Sequence, residues 1–258
     1  MMTSIGFIGG GRVARILLGG WQHAGRMPER VVVSDPSADS LRELQSRFPG
    51  IHAIPGANPD AAYQDIVLLA VHPPVAPAIL AEIVPVLQPG TIVVSLMPKV
   101  SIARIASMLG GFQRIVRMIP NAASVVGRGY NPIAFSPALS GQERSRIVAL
   151  LAPLGDCPEV PEEHLEAYAV LTAMGPTYLW FQFDALTKLG VAFGLPSSAA
   201  AEGVLKMAEG AIATMAGSGL TPAGVMDLVP VKPLGEDEAV IRDCYERRLR
   251  GMYAMLKG

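Results

Sequence analysis

The sequence predicts an α/β fold: a doubly wound parallel sheet in the N-terminal part and an all-α domain after it. Three observations carry this expectation. Short β-branched runs alternate with helical patterns as far as about residue 160. The first run leads directly into Gly9-Gly10-Gly11-Arg12-Val13-Ala14, a glycine turn between a strand and a helix. Beyond Pro158-Glu159-Val160-Pro161 the strand pattern stops and long helical patterns fill the remaining chain. The expected domains are residues 1–160 and 161–258.

Ser4 to Ile8 reads as the first buried strand. Gly9, Gly11 and Ala14 fit G-x-G-x-x-G/A, and each small residue has a physical task. Gly9 permits the tight strand-to-helix turn. Gly11 lets a pyrophosphate approach the backbone without meeting a Cβ, and Ala14 lets the helix pack closely on the strand. The helix that follows, about Arg12 to Ala24, presents free N–H groups and its positive dipole end to the phosphates. NAD or NADP is the expected ligand, held by Gly9, Gly10, Gly11, Arg12 and Val13. The second strand, Arg30 to Ser34, ends at Asp35, about twenty residues past the turn, where a carboxylate can accept from the adenosine ribose. Asp35 also precedes Pro36, so a turn and cap for a helix over Ser37–Phe48 is the other reading. A carboxylate here disfavours a 2′-phosphate and argues for NADH. Ser37 and Arg42 are near enough in sequence to help bind one, so both cofactors stand.

Ile51 to Ile54 is a short third strand, and Asn58 to Tyr63 a short helix or turn. Asp65 to Val71 is fully apolar after its first residue, as in a parallel sheet covered on both faces. Ligands bind beyond the carboxyl ends of such strands, which adds Asn58, Ala70, Val71, His72 and Pro73 to the expected cofactor contacts. His72 reads either as a hydrogen-bond or proton partner there or as a solvated loop residue. Ala76 to Leu87 is a helix interrupted near Pro85. Thr91 to Ser95 is the fifth strand, with Ser95 at its tip a further cofactor candidate. Ser101 caps a helix running to about Leu109. Arg114 to Ile119 is the sixth strand. Asn121 at its tip either orients a carbonyl or carboxylate as a cofactor-side residue or simply forms a turn after Pro120. Tyr130–Phe135 and Asp156–Val160, around a helix at Ser140–Leu151, are expected to extend the sheet at one edge.

In the C-terminal part, Glu162 to Gly190 is helical and broken at Gly175-Pro176. Pro176 has no N–H, so the carbonyl of Thr172 loses its helical partner. Ser197 to Ala216 follows, with Ser197 as N-cap, then Pro222–Leu228 and Glu236–Leu256. The last helix carries the i,i+4 pairs Glu238/Arg242, Asp243/Arg247 and Glu246/Arg250, a solvated face. Tyr178, Trp180, Phe181, Phe183, Met207, Met215 and Met226 thread these helices. Exchange of helices with a second subunit or packing on the first domain would bury them. A homodimer, or a higher oligomer built on it, is the expectation.

Composition narrows the function classes. Net charge is −1 and half of the residues are apolar, which gives no electrostatic reason to expect nucleic acid or an anionic membrane. Cys157 and Cys244 are far apart, and His23, His52, His72 and His164 form no ligand pattern, so no metal site is expected. No apolar run reaches the about eighteen residues of a membrane span. The N-terminal apolar stretch contains Arg12 and Arg15, against a signal peptide. Together with the sparse cysteines, this makes a cytoplasmic protein the expectation.

The residues resemble the pyrroline-5-carboxylate reductase family along nearly the whole chain. Ile5-Gly6-Phe7-Ile8-Gly9-Gly10-Gly11-Arg12-Val13-Ala14 is similar to its opening fingerprint. Leu68-Leu69-Ala70-Val71-His72-Pro73 resembles ILAVKP-type text, and Val94 to Ala103 resembles VS…GVSIA. Arg117 to Gly129 is similar to the RxMPN…VG-x-G loop, and Gly175-Pro176-Thr177-Tyr178 with Asp184–Pro196 to GPAY and the run after it. The resemblance implies a Rossmann domain, a helical dimerisation domain, and hydride transfer from a nicotinamide cofactor, NADPH by resemblance, to a cyclic imine, giving proline. It places Gly175, Pro176, Thr177 and Gly235 at the substrate. The chain departs from the family's text in several places, and Met97-Pro98-Lys99 and His72 replace the small or lysine residues usual near the cofactor. Thr172-Ala173-Met174-Gly175-Pro176 stands for SGSGP, and Leu228 to Glu238 stands for a VTSPGGTT-type loop. Glu236 and Asp237 fall where hydroxyls are expected. No catalytic side chain is identified; Glu236, as an iminium stabiliser, and Lys232, as its charge balance, are the candidates.

Overall fold

The computed structural model describes residues 3–258. The N-terminal part alternates strand and helix: β1 Ser4–Ile8, α1 Arg12–His23, β2 Arg30–Asp35, α2 Ala38–Arg47, β3 His52–Pro55, α3 Asn58–Ala62, β4 Ile66–Leu69, α4 Ala76–Ile83, β5 Ile92–Ser95, α5 Ile102–Met108 and β6 Ile115–Met118. After these come β7 Gly129–Tyr130, β8 Ile133–Phe135, α6 Gly141–Leu151 and β9 Gly155–Asp156. The main sheet has the order β3-β2-β1-β4-β5-β6-β8. The first six strands are parallel and β8 lies antiparallel to β6. The order reverses between β1 and β4, which is the switch point of a doubly wound sheet.

The strands are short and buried on both faces because each residue contributes to one of two cores. Ile5, Phe7, Val31, Val33, Ile66, Leu68, Val94 and Val116 pack with α1 and α6 through Leu17, Trp21 and Ile147. Ile8, Val32, Val67, Leu69, Val93 and Ile115 point the other way, against Leu80, Ile83 and Ile105. The indole of Trp21 is fully buried, and its Nε1–H donates to Leu150 O (2.9 Å), so a large apolar ring is buried without an orphaned donor.

Local signals set the helix starts. Ser37, Ser101 and Ser140 accept from the N–H of Ser40, Arg104 and Glu143, and Ser140 with Glu143 completes a reciprocal capping box. Several expected boundaries shift. The single strand expected over Tyr130–Phe135 is two, because β7 pairs with β9 in a separate ribbon and β8 joins the main sheet. Of Asp156–Val160, only Asp156 is in a strand, and Glu159 adds an isolated bridge to Ile133. α4 ends at Ile83, and Pro85 falls in a 3₁₀ turn. Ser197 is the first helical residue rather than the cap, which is Pro196.

The chain divides into two compact units, one running up to Ala173 and including Tyr253–Gly258, the other Met174–Met252. The first contains a short helix α7, Leu165–Tyr168, that continues as a π-helical turn, Ala169–Ala173. The second is helical: α8 Pro176–Ala192, α9 Ser197–Gly217, α10 Pro222–Asp227 and most of α11, Glu238–Lys257. Within it α8 and α9 approach so closely that a Cβ on Gly190 would lie 2.9 Å from Ala200 Cβ. Of the residues from 174 to 252, Ala200 alone is buried. No helix among the described residues is long and apolar enough to cross a membrane, and none of their His, Cys, Asp or Glu side chains group as metal ligands.

Candidate functional site

The glycine turn is built by backbone constraints. Gly9 has φ +103, and a Cβ there would stand 2.4 Å from Ala70 O, so strand β4 and the left-handed backbone both demand glycine. Its N–H donates to Ser34 O at 2.8 Å. Gly10 N–H donates to Asp35 Oδ2 and Ser37 N–H to Asp35 Oδ1, each at 2.8 Å. Asp35 therefore ties the turn to the end of β2 and also starts the turn before α2; both are backbone tasks. Gly11 is the N-cap of α1, with no side chain capping it, and a Cβ added there meets nothing within 4 Å. Ala14, the third small residue of the pattern, is fully buried. The result is an uncapped helix N-terminus with open room at the glycine that begins it, and such an end favours negative charge. The donor set and the space fit a dinucleotide pyrophosphate.

The strand tips around this turn hold the other expected contacts. Ala70 and Val71 are half-buried just past β4, and Ala70 N–H donates to Ile8 O (2.8 Å). His72 is exposed at the start of the 3₁₀ turn Pro73–Val75, and its side chain caps nothing. Ser95 is buried, its Oγ accepting from Met97 N–H at 3.3 Å. Asn58 is occupied within the protein: Oδ1 accepts from Ser34 Oγ and Nδ2 donates to Glu82 Oε2, both 2.8 Å. Arg12 is exposed and Val13 half-buried in the first turn of α1. Arg42, read as a possible phosphate partner, pairs with Asp39.

Asn121 is buried at the tip of β6, and its amide does meet a carbonyl, the chain's own. Nδ2 donates to Thr172 O at 2.8 Å, while Oδ1 accepts from Ala123 N–H at 2.9 Å. Thr172 O is the carbonyl that Pro176 leaves without a helical donor. The surrounding turn is π-helical, a form that recurs at functional sites. Nearby, the guanidinium of Arg117 reaches Glu162 Oε1 (3.0 Å) and Glu166 Oε1 (2.7 Å). Sequence reading passed over this trio. The available signal was an arginine inside the otherwise apolar Ile115-Val116-Arg117-Met118, followed by carboxylates one helical turn apart.

In the second unit Pro176 opens α8, where its missing N–H breaks no bond within that helix. Thr177 is exposed, and its hydroxyl donates to Met174 O at 2.6 Å. The segment before α11 is a series of turns, with Gly235 N–H on Lys232 O (2.9 Å) and Asp237 N–H on Leu234 O (3.1 Å). Lys232 and Gly235 line a concavity of about 780 Å³ together with Met226, Val229 and Val231. Glu236 and Asp237 are exposed and lie outside that lining.

Two family models match this chain. One, described as NADP oxidoreductase coenzyme F420-dependent, covers residues 4–99; the other, pyrroline-5-carboxylate reductase dimerisation, covers residues 162–256. The chain is 29% identical to a pyrroline-5-carboxylate reductase of Corynebacterium melassecola, covering 98% of this chain and 94% of that protein. It is 26% identical to that of Escherichia coli, covering 97% and 93%. Among solved structures, the pyrroline-5-carboxylate reductase of Coxiella burnetii superposes with a TM-score of 0.73 at 25% identity, over 100% of this chain and 95% of that one. The Plasmodium falciparum pyrroline carboxylate reductase with NADP bound gives 0.83 at 19% identity, over 99% and 97%, which is a likeness of fold. With a nucleotide-type turn at one end, a dimerisation match at the other and relatives aligned from end to end, the chain belongs to the pyrroline-5-carboxylate reductase family.

Proposed function

We propose that this protein is an NAD(P)H-dependent reductase of pyrroline-5-carboxylate, forming proline. The observation that carries the reading is the uncapped start of α1 with open room at Gly11, set in a chain whose full-length relatives are reductases of that substrate. When bound, the nicotinamide cofactor supplies the hydride for the imine carbon. The protein's own work is binding, orientation and exclusion of water.

Gly9, Gly10 and Gly11, with Arg12 and Val13, hold the phosphates through backbone N–H groups. Asp35 fixes the turn that presents them, and its negative charge favours NADH over NADPH at the ribose. Ala70, Val71, His72, Pro73 and Ser95 form the wall at the strand tips, and Asn58 and Asn121 support it through Ser34 and Thr172. Gly175, Pro176, Thr177 and Gly235 take the substrate, with Lys232 facing its carboxylate. Glu236, outside the concavity that holds Lys232 and Gly235, is the weaker candidate for a proton or charge role. Residues 1–160 then bind cofactor, and residues 161–258 bind substrate and pair subunits in a cytoplasmic homodimer.

The dimer reading rests on surface. Phe181, Phe193 and Ile212 are each about two-thirds exposed or more in the single chain, with Trp180 more than half exposed. Apolar area of that extent on helices with almost no internal core is stable when a second copy covers it. The test of function is a steady-state assay of NADH and NADPH oxidation with pyrroline-5-carboxylate, with proline measured as product. Turnover supports the reading. Dinucleotide binding without turnover would instead favour a scaffold that has lost catalysis, the alternative suggested by the altered loop before α11.

A further inference from the structure

The loop after β5 has an unusual backbone. Lys99 has φ +70, the one positive φ outside glycine among the described residues. In that conformation an L side chain crowds its own carbonyl, and such strain persists only where the surroundings enforce it. Here two carboxylates do so. Glu166 Oε1 accepts from Lys99 N–H at 3.2 Å, and Glu162 Oε1 accepts from Ile102 N–H at 2.6 Å. Both carboxylates are held by Arg117, whose side chain is 3% exposed, at 2.7 Å and 3.0 Å. One buried guanidinium does not balance two carboxylates, and the two backbone N–H groups supply the remaining donors. The loop is thus pinned at both ends by a charge cluster rooted in β6 and in the segment that opens α7.

The loop leaves the carboxyl end of β5, beside β4 at the switch point. In a doubly wound sheet the second half, here β4-β5-β6, faces the nicotinamide half of a dinucleotide. We propose that Arg117, Glu162 and Glu166 are positioning residues that clamp residues 97–102 into the shape that orients the nicotinamide end of the cofactor, with Lys99 held in its left-handed backbone by that clamp. This rests on the dinucleotide reading above. The cluster acts through the loop and touches no ligand itself. Its loss should therefore impair orientation more than affinity, since the phosphates are held at the glycine turn.

The experiment uses the full chain with Glu166→Gln alone and with Lys99→Gly added. Four quantities are measured: amide hydrogen exchange of the 97–105 segment without ligand, its protection by added NADH or NADPH, dinucleotide Kd with stoichiometry, and kcat. In Glu166→Gln, exchange should quicken and kcat fall about tenfold or more, with stoichiometry kept and Kd within about threefold. Adding Lys99→Gly should return kcat to within about threefold of the wild type, because glycine adopts positive φ without being forced. A merely structural cluster would not be rescued in this way. Unchanged exchange and kcat in Glu166→Gln, or no recovery in the double variant, overturns the proposal. If Glu166→Gln does not fold, Glu162→Gln gives the same readouts through Ile102. If the wild type binds dinucleotide but does not turn over pyrroline-5-carboxylate, the substrate reading fails and the clamp is judged by exchange alone. Dinucleotide protection of the loop in the wild type and its loss in the variant then uphold the clamp, and absence of protection overturns it.

Discussion

The side-chain amide of Asn121 and the backbone carbonyl of Thr172 are joined by a 2.8 Å hydrogen bond that repairs a gap made by Pro176. A proline cannot supply the N–H that the carbonyl four residues earlier would take in a continuing helix. A buried orphan costs about 1–3 kcal/mol. In this chain the donor comes from the tip of β6, so the π-helical turn before Gly175-Pro176 is tied to the sheet that carries the glycine turn.

Asn121→Ala removes that donor. Stability should fall by about 1–3 kcal/mol, read as a lower urea midpoint with an unchanged slope. Asn121→Asp should be worse at neutral pH, because it turns a carboxylate toward the carbonyl. A midpoint equal to that of the wild type in both variants would show that the bond contributes nothing.

Asp35→Ala releases the N–H groups of Gly10 and Ser37. Hydrogen bonds to a charged group contribute about 1.5–3 kcal/mol, so Kd for NADH should rise about tenfold or more. The lost negative charge partly compensates a 2′-phosphate, so NADPH binding should weaken less and the NADH preference should shrink. Fluorescence titration with both dinucleotides reads the two effects separately.

Burial pushes the thiol of Cys157 up to about 11, with the nearby amide of Asn131 opposing the shift and the charge of Asp156 adding to it. The raised value means that the thiolate is scarce until pH approaches that range, so Cys157 should resist alkylation at pH 8. Reaction should be confined to the exposed Cys244, and Cys244→Ala should leave a folded protein that takes up no reagent until denaturant is added. Rapid labelling of Cys157 at pH 8 would contradict its placement.

Phe193→Asp or Ile212→Asp puts a charge on the apolar helix surface of the second unit. Sedimentation should show a shift from dimer to monomer, accompanied by lower solubility. A dimer that survives both changes would place the interface elsewhere.

The legible parts of this molecule were those written in local sequence. The glycine pattern, the strand tips and Asp35 are short-range requirements of a turn, and they appear where the pattern puts them. The effect of Pro176 on Thr172 was equally legible, since it is a matter of four residues. Its remedy was not, because Asn121 lies 51 residues away. For the same reason Asn58 could be placed near the cofactor wall but not paired with Ser34 and Glu82, each 24 residues distant. Arg117 was hidden in an apolar strand pattern, and its meaning depends on Glu166, 49 residues later. Periodicity reports which face a residue occupies, whereas pairing between distant polar groups is decided by the folded sheet.

The most direct test compares the wild type with Gly11→Val. A Cβ at Gly11 meets no protein atom within 4 Å and its φ is −78, so an added side chain starts out into the open room proposed for the phosphates. The account predicts that the wild type oxidises NADH or NADPH when pyrroline-5-carboxylate is added. It predicts that Gly11→Val stays folded, with a Tm lowered by no more than about 4 °C by the poorer helix cap, and loses both dinucleotide binding and turnover. A wild type that leaves the cofactor unoxidised, or a Gly11→Val variant that binds and turns over as the wild type does, would contradict it.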